Sequence, residues 1–144
     1  MARNNQVKIK GDVMGDIYYD IFTTPEGKPV QFLRFYVALG ATREAKELRG
    51  LRILAYGVLA ELTEAHLQKS SRVLVEGHLQ MRTLTDGKVV LEVVAEEIDY
   101  IRNIDWERGE KKYKELQEAG AFSPRSKQGN SFDNTDIGDW PKTK

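Results

Sequence analysis

Two short sets of aromatic and arginine residues are the most chemically suggestive feature of this chain. Arg52 and Tyr56 lie four apart in RILAYG, and Phe32, Arg34 and Tyr36 alternate in QFLRFYV. In an extended strand alternate residues share a face. Leu51, Ile53 and Ala55 therefore form one set, and Arg52, Leu54 and Tyr56 the other. An unpaired guanidinium is too costly for a barrel interior, so the arginine set is read as exterior. The same argument places Leu33, Phe35, Val37 and Leu39 inside and Phe32, Arg34 and Tyr36 outside. Three aromatics and two arginines on one outer face need a reason. One is stacking of unpaired bases between guanidiniums that follow the phosphates. The other is burial of the same rings in a subunit interface or under a helix beginning at Trp106.

Other chemistries find less support. There is no cysteine, hence no disulfide framework, thiolate nucleophile or Cys-type zinc site. His66 falls in a helical stretch and His78 in a strand, and no serine or carboxylate is spaced to complete a triad with either. Two histidines without cysteine make a structural or surface role the expectation over metal binding. Asp133, Asp136 and Asp139 are three apart, unlike the alternating ligands of a calcium loop. Neither GxxxxGK[ST] nor GxGxxG occurs. The chain reads as a binding protein that needs no cofactor, not as an enzyme.

The elements that would position the aromatic face are mostly strands. Val7–Val13 alternates apolar residues with Lys8 and Lys10. Thr24–Pro29 is a turn, carrying Pro25, Gly27 and Pro29. Val30–Leu39 is β-branched and aromatic and stops at Gly40, and Ala41–Leu48 is a polar loop. Leu51–Tyr56 is a short strand ending at Gly57. VLAELTEAHLQK follows, with Leu59, Leu62 and His66 at helical spacing. Arg72–Leu84 is a strand, Asp86-Gly87 signals a hairpin, and Val89–Ile101 is the fifth strand. Five strands with one helix between the third and fourth is the order of an OB barrel. A generic small β-barrel and a split α+β sheet are the alternatives.

After Ile104 the texture changes. Trp106–Glu118 reads as a charged helical extension, and the tail from Gly120 has too little aliphatic content to offset its own ordering entropy. The expected organisation is a barrel domain over 1–104, a helical extension over 105–119 and a disordered tail over 120–144. At 40% hydrophobic and 31% charged residues the chain can fill one core and stay soluble. MARNNQVKIK lacks a signal-peptide core, and no stretch approaches the ~18 apolar residues of a membrane helix, so a soluble intracellular protein without membrane contact is expected. Lysine plus arginine equals aspartate plus glutamate at 22 each, 14 against 14 up to Ile104 and 8 against 8 beyond. Nucleic-acid binding would thus rest on local cations and stacking, not on net charge.

The segment LRILAYGVLAELTEAHLQKSSRVLVEGHLQMRTLTD, Leu51 to Asp86, resembles the bacterial single-stranded DNA-binding protein family, and the likeness runs from about Asn5 to Ile101. Arg-x-x-x-aromatic-Gly-x-Leu-Ala-Glu, a helix, then Val-x-Val-Glu-Gly-x-Leu is the distinctive combination. Asn5-x-Val7 and Gly11 also fit. The resemblance implies an OB fold, homotetramers of single-OB chains, and strand binding without sequence preference in replication, recombination and repair. It places Arg52 on the family's third-strand arginine and Tyr56 on its stacking aromatic. Phe32, Arg34 and Tyr36, with Lys8, Lys10 and Arg82, complete the expected DNA contacts. Three family tryptophans are absent: their places are Gly50, Leu84 and Arg43.

The tail resembles the family's acidic partner-recruiting tip in Asp133, Asp136, Asp139 and an aromatic–Pro pair, but Lys142-Thr143-Lys144 follows. Replication or repair proteins are the partners such a tip would recruit. Assembly as a dimer is the second choice after the tetramer. A cytoplasmic, nucleoid-associated location is expected, with an organelle of bacterial ancestry as the alternative. A primosomal replication-restart relative, an RNA-binding OB module and a protein-interaction OB module are competing readings.

Overall fold

The computed structural model describes residues 5–39 and 50–121. The polar loop expected at 41–48, with Arg43, lies outside them, as does the tail after its first two residues, including the three aspartates and Trp140. Strands β1 (Val7–Thr23), β2 (Pro29–Ala38) and β3 (Gly50–Tyr56) lead into helix α1 (Gly57–His66). Then come β4 (Arg72–Thr83), β5 (Val89–Arg102) and helix α2 (Trp106–Glu118). The strands close into a barrel in the order β1-β2-β3-β5-β4, with β3 and β5 parallel and the other pairs antiparallel. This is the five-stranded OB barrel expected from the sequence, with the helix between the third and fourth strands and a short C-terminal helix.

Closure follows from alternation. Val13, Leu33, Phe35, Val37, Ile53, Ala55, Val73, Val75 and Val93 turn into one core, as period-two strands around an enclosed space require. Leu39, expected inside, is exposed, because β2 ends at Ala38 and the alternation no longer binds it. β1 runs ten residues past its expected end at Val13. Its pairing with β2 shifts between Met14 and Tyr18, and the strand then resumes to Thr23. That second half carries Ile17 and Tyr19 against the core and Tyr18 and Phe22 elsewhere.

The passage from β3 into α1 depends on Gly57, at φ +69°, a conformation that a side chain disfavours. The inward face of α1 is Ala60, Thr63 and, just past its end, Leu67, with Leu59 partly buried beside them. Of the three residues at helical spacing, Leu59 packs against the core, Leu62 is half-buried, and His66 is buried but turns toward α2. The His66 ring stacks on Tyr100 at 4.1 Å and meets Trp106 edge-on. Arg108 donates to the carbonyls of Glu64, Ala65 and Leu67, each at 2.8 Å, and so caps the C-terminal end of α1. Gly109 allows the approach, since a Cβ there would lie 2.2 Å from the His66 ring. Lys112 reaches Glu61 at 3.2 Å.

Candidate nucleic-acid interface

The registers array the outer side of the barrel in cross-strand rows. Met14, Tyr36, Arg52, Glu92 and Gln80 form one row across all five strands. Tyr18, Arg34, Leu54, Val94 and His78 form the next, and Asp20, Phe32 and Tyr56 a third. Directly opposed side chains are the unit of sheet stabilisation, so these rows decide what each arginine can touch.

In the first row Arg52 Nε donates to the Tyr36 hydroxyl at 3.2 Å, and its guanidinium lies 5.7 Å from that ring's centre. Its Nη1 donates to Glu92 Oε2 at 3.1 Å. Arg82 grips the same carboxylate as a fork, with Nε to Oε1 at 3.1 Å and Nη2 to Oε2 at 2.6 Å. Gln80 Nε2 adds a bond at 3.0 Å. The Glu92 side chain is 0% exposed, against 23% for Arg52 and 35% for Arg82. Burial pushes the Glu92 carboxyl up, but the hydrogen bonds from Arg82, Gln80 and Arg52 prevail and hold it below the usual carboxylate range. The same pairing raises Arg82 further, with its bond to Glu92 as the main cause.

The other two rows carry the rings. Phe32 lies 5.3 Å from Tyr56, 6.0 Å from Phe22 and 6.1 Å from Tyr18. Arg34 rests over the Tyr18 ring at 4.8 Å. Tyr56 lies outside the barrel core, as its alternation with Arg52 implied, in a separate cluster with Leu54 and Val94. It is not the open platform expected, because only 9% of it is exposed. The reason is the unforeseen second half of β1, whose hairpin with β2 brings Phe22, Val30 and Phe32 over the end of β3. Burial, then the nearby Glu92 charge, drives the Tyr56 phenol far above its usual value, so it stays a neutral hydroxyl. Tyr18, 42% exposed, is the open ring of the group.

Of the eight expected contacts, six come together: Phe32, Arg34, Tyr36, Arg52, Tyr56 and Arg82. Lys8 and Lys10 do not join them. They sit in rows with Glu76 and Leu74 of β4, and Lys8 is bound to Glu76 at 3.1 Å. The sequence reading passed over Tyr18, Phe22, Gln80 and Glu92. The alternation in DIYYDIFT was the available signal for the first two; for Glu92 there was none. Gly50, in a place where the resembled family has tryptophan, is crowded: a Cβ there would meet Met14 Sδ and Tyr36 Cβ, both at 3.0 Å. Met14 and Tyr36 thus fill the room an indole would need.

Among the described residues, the buried side-chain polar atoms without a hydrogen-bond partner are Arg34 Nε, Tyr56 Oη and Gln80 Oε1. All three belong to this face. Elsewhere His66 is a packing residue, with Nδ1 at 2.8 Å from the Leu62 carbonyl, and His78 pairs with Glu96 at 2.8 Å. No group of three His, Asp or Glu side chains among the described residues is arranged to hold a metal ion.

The face can hold flat, weakly hydrated groups against Tyr18 and Tyr36 while guanidiniums at Arg34, Arg52 and Arg82 meet phosphates. Residues 4–101, well over half the chain, match the model of the family described as Single-strand binding protein family. No curated protein matches the chain.

Proposed function

The chain belongs to the single-strand binding protein family, and from that membership we propose that it binds and protects single-stranded DNA without strong sequence preference. The family is one of binding proteins, not enzymes. The observation that carries the reading is the row of Tyr36, Arg52, Glu92 and Gln80, with Arg82 beside it, set against the aromatic cluster around Phe32. Rings beside cations suit a strand whose bases are unpaired and whose backbone is charged. Duplex DNA hides its base faces and would gain only the charge part of that interaction.

The roles that follow are in replication, recombination and repair, in the cytoplasm with the nucleoid or in an organelle of bacterial ancestry. A single OB domain engages a short stretch, on the order of 4–16 nucleotides. Assembly as a homotetramer, or failing that a dimer, would lengthen the track, and light scattering should give a multiple of the 16.4 kDa chain. The deciding experiment compares fluorescence anisotropy on mixed-sequence single-stranded DNA, homopolymers, RNA and duplex at two salt concentrations. Single-stranded DNA should bind tightest, with little spread among sequences. Equal binding to duplex would sink the proposal, and tighter binding to RNA would transfer it to an RNA module.

A further inference from the structure

Glu92 is the fully buried carboxylate among the described residues, and it lies directly under the cations of the face. Burying an acid is expensive unless it is paired and hydrogen-bonded. Here the pairing uses both Arg52, in the first row, and Arg82, beside it. On the neighbouring β5 positions Val93 and Val94 the barrel keeps its interior and its outer cluster apolar. The acid therefore stands where the local pattern supplies hydrophobes, and its effect falls on the two arginines.

Resting on the strand-binding reading above, we propose that Glu92 is an internal counter-charge that sets the salt dependence and strength of DNA binding at Arg52 and Arg82. It does two things at once. Bonds to both of its oxygens hold the guanidiniums down along the sheet, where their outer edges stay partly open at 23% and 35%. It also cancels one of their two charges, so the group of three presents one net positive charge to a phosphate. Each phosphate neutralised on a single strand adds about 0.7 to the steepness of the salt dependence through counterion release. The pair of arginines should thus act as one cation, not two. Glu92 is a positioning residue in this account, since it is 0% exposed and acts through the arginines.

The test reads the salt slope of single-stranded DNA binding in three full-length variants, with circular dichroism and melting to confirm folding. Glu92→Gln keeps the shape and frees a charge. Its slope should steepen by about 0.7 and its affinity should rise roughly fivefold at low salt. Arg82→Met should flatten the slope by about 0.7. Arg82→Met combined with Glu92→Gln again leaves one net positive charge and should return to the wild-type slope. This double variant removes both partners together, the change least harmful to folding. A purely structural Glu92 would lower the melting midpoint and leave the slope unmoved in Glu92→Gln, which overturns the proposal. So does a double variant as flat as Arg82→Met alone. Wild-type protein that fails to bind single strands at all would instead refute the functional reading on which this one rests.

Discussion

At the helix-capped end of the barrel Arg108 gives bonds to three backbone carbonyls, Thr63 meets the Tyr100 hydroxyl at 3.0 Å, and His66 is held by Leu62, Tyr100 and Trp106. On the outer wall of β2, β3 and β4, Arg34 Nε, Tyr56 Oη and Gln80 Oε1 are buried without hydrogen-bond partners. Both regions are built from the same materials, aromatics next to cations. One spends its polar groups on the chain itself, as a region serving stability should. The other leaves donors and acceptors unmatched at a cost of ~1–3 kcal/mol each. Polar groups left unmatched in one region while being satisfied in another mark the place where something other than the fold has shaped the residues.

The largest effect should come from the satisfied end. Arg108→Ala strands three carbonyls and should lower stability by about 2 kcal/mol in denaturant melts. Single-strand affinity of the folded variant should not change. A matching loss of affinity would join the two regions and break the contrast.

The next effect lies on the wall. Tyr18→Ala removes its open ring and should weaken binding by about 1.5 kcal/mol, roughly tenfold, with a small change in melting. Unaltered affinity would show that bases stack elsewhere. Tyr56 is a poor probe of stacking by comparison, because truncating a ring so covered would open a cavity.

Tyr56→Phe sharpens the contrast from the other side. It deletes a hydroxyl that makes no hydrogen bond, so the variant should be more stable by about 1 kcal/mol. A lower melting midpoint would mean that the hydroxyl has found a partner.

The smallest effect concerns acid. Glu92 is held below the usual carboxylate range in the folded chain. In the unfolded chain it takes up its proton first, near pH ~4.3. The stability it contributes is therefore complete above that pH and is lost as pH falls through the lower folded value. Melting curves between about pH 6 and pH 3 should fall less steeply for Glu92→Gln than for the wild type. Parallel curves would show that the arginines do not stabilise the charged form.

Much of the architecture was legible because it depends on local pattern. The bounds of α2 agree with the sequence reading at both ends, and Asp105, whose side chain accepts from the Arg108 amide, supplies the start signal. The strand ends at Tyr56 and near Thr83 follow from glycines and an Asp-Gly turn. Gly15, just past Val13, carries the local signal of a strand end, but β1 absorbs it in a register shift between Met14 and Tyr18 and continues to Thr23. Losing Tyr18 and Phe22 from the reading then made Tyr56 look open.

Alternation along each strand thus determined, from sequence alone, which residues line the barrel and that Arg52 and Tyr56 face away from its core. That is a property of neighbours two apart, and any extended chain obeys it. Whether an outward residue is covered, and whether an arginine is free, depends on strands far off in sequence. Tyr56 is covered by Phe22, Val30 and Phe32, 24 to 34 positions before it. Arg52 is bound by an acid 40 positions after it, set opposite by the parallel pairing of β3 with β5. In VVLEVV the charge of Glu92 suggests solvent, and only closure of the barrel, by bringing two guanidiniums and an amide around that carboxylate, could let it be buried.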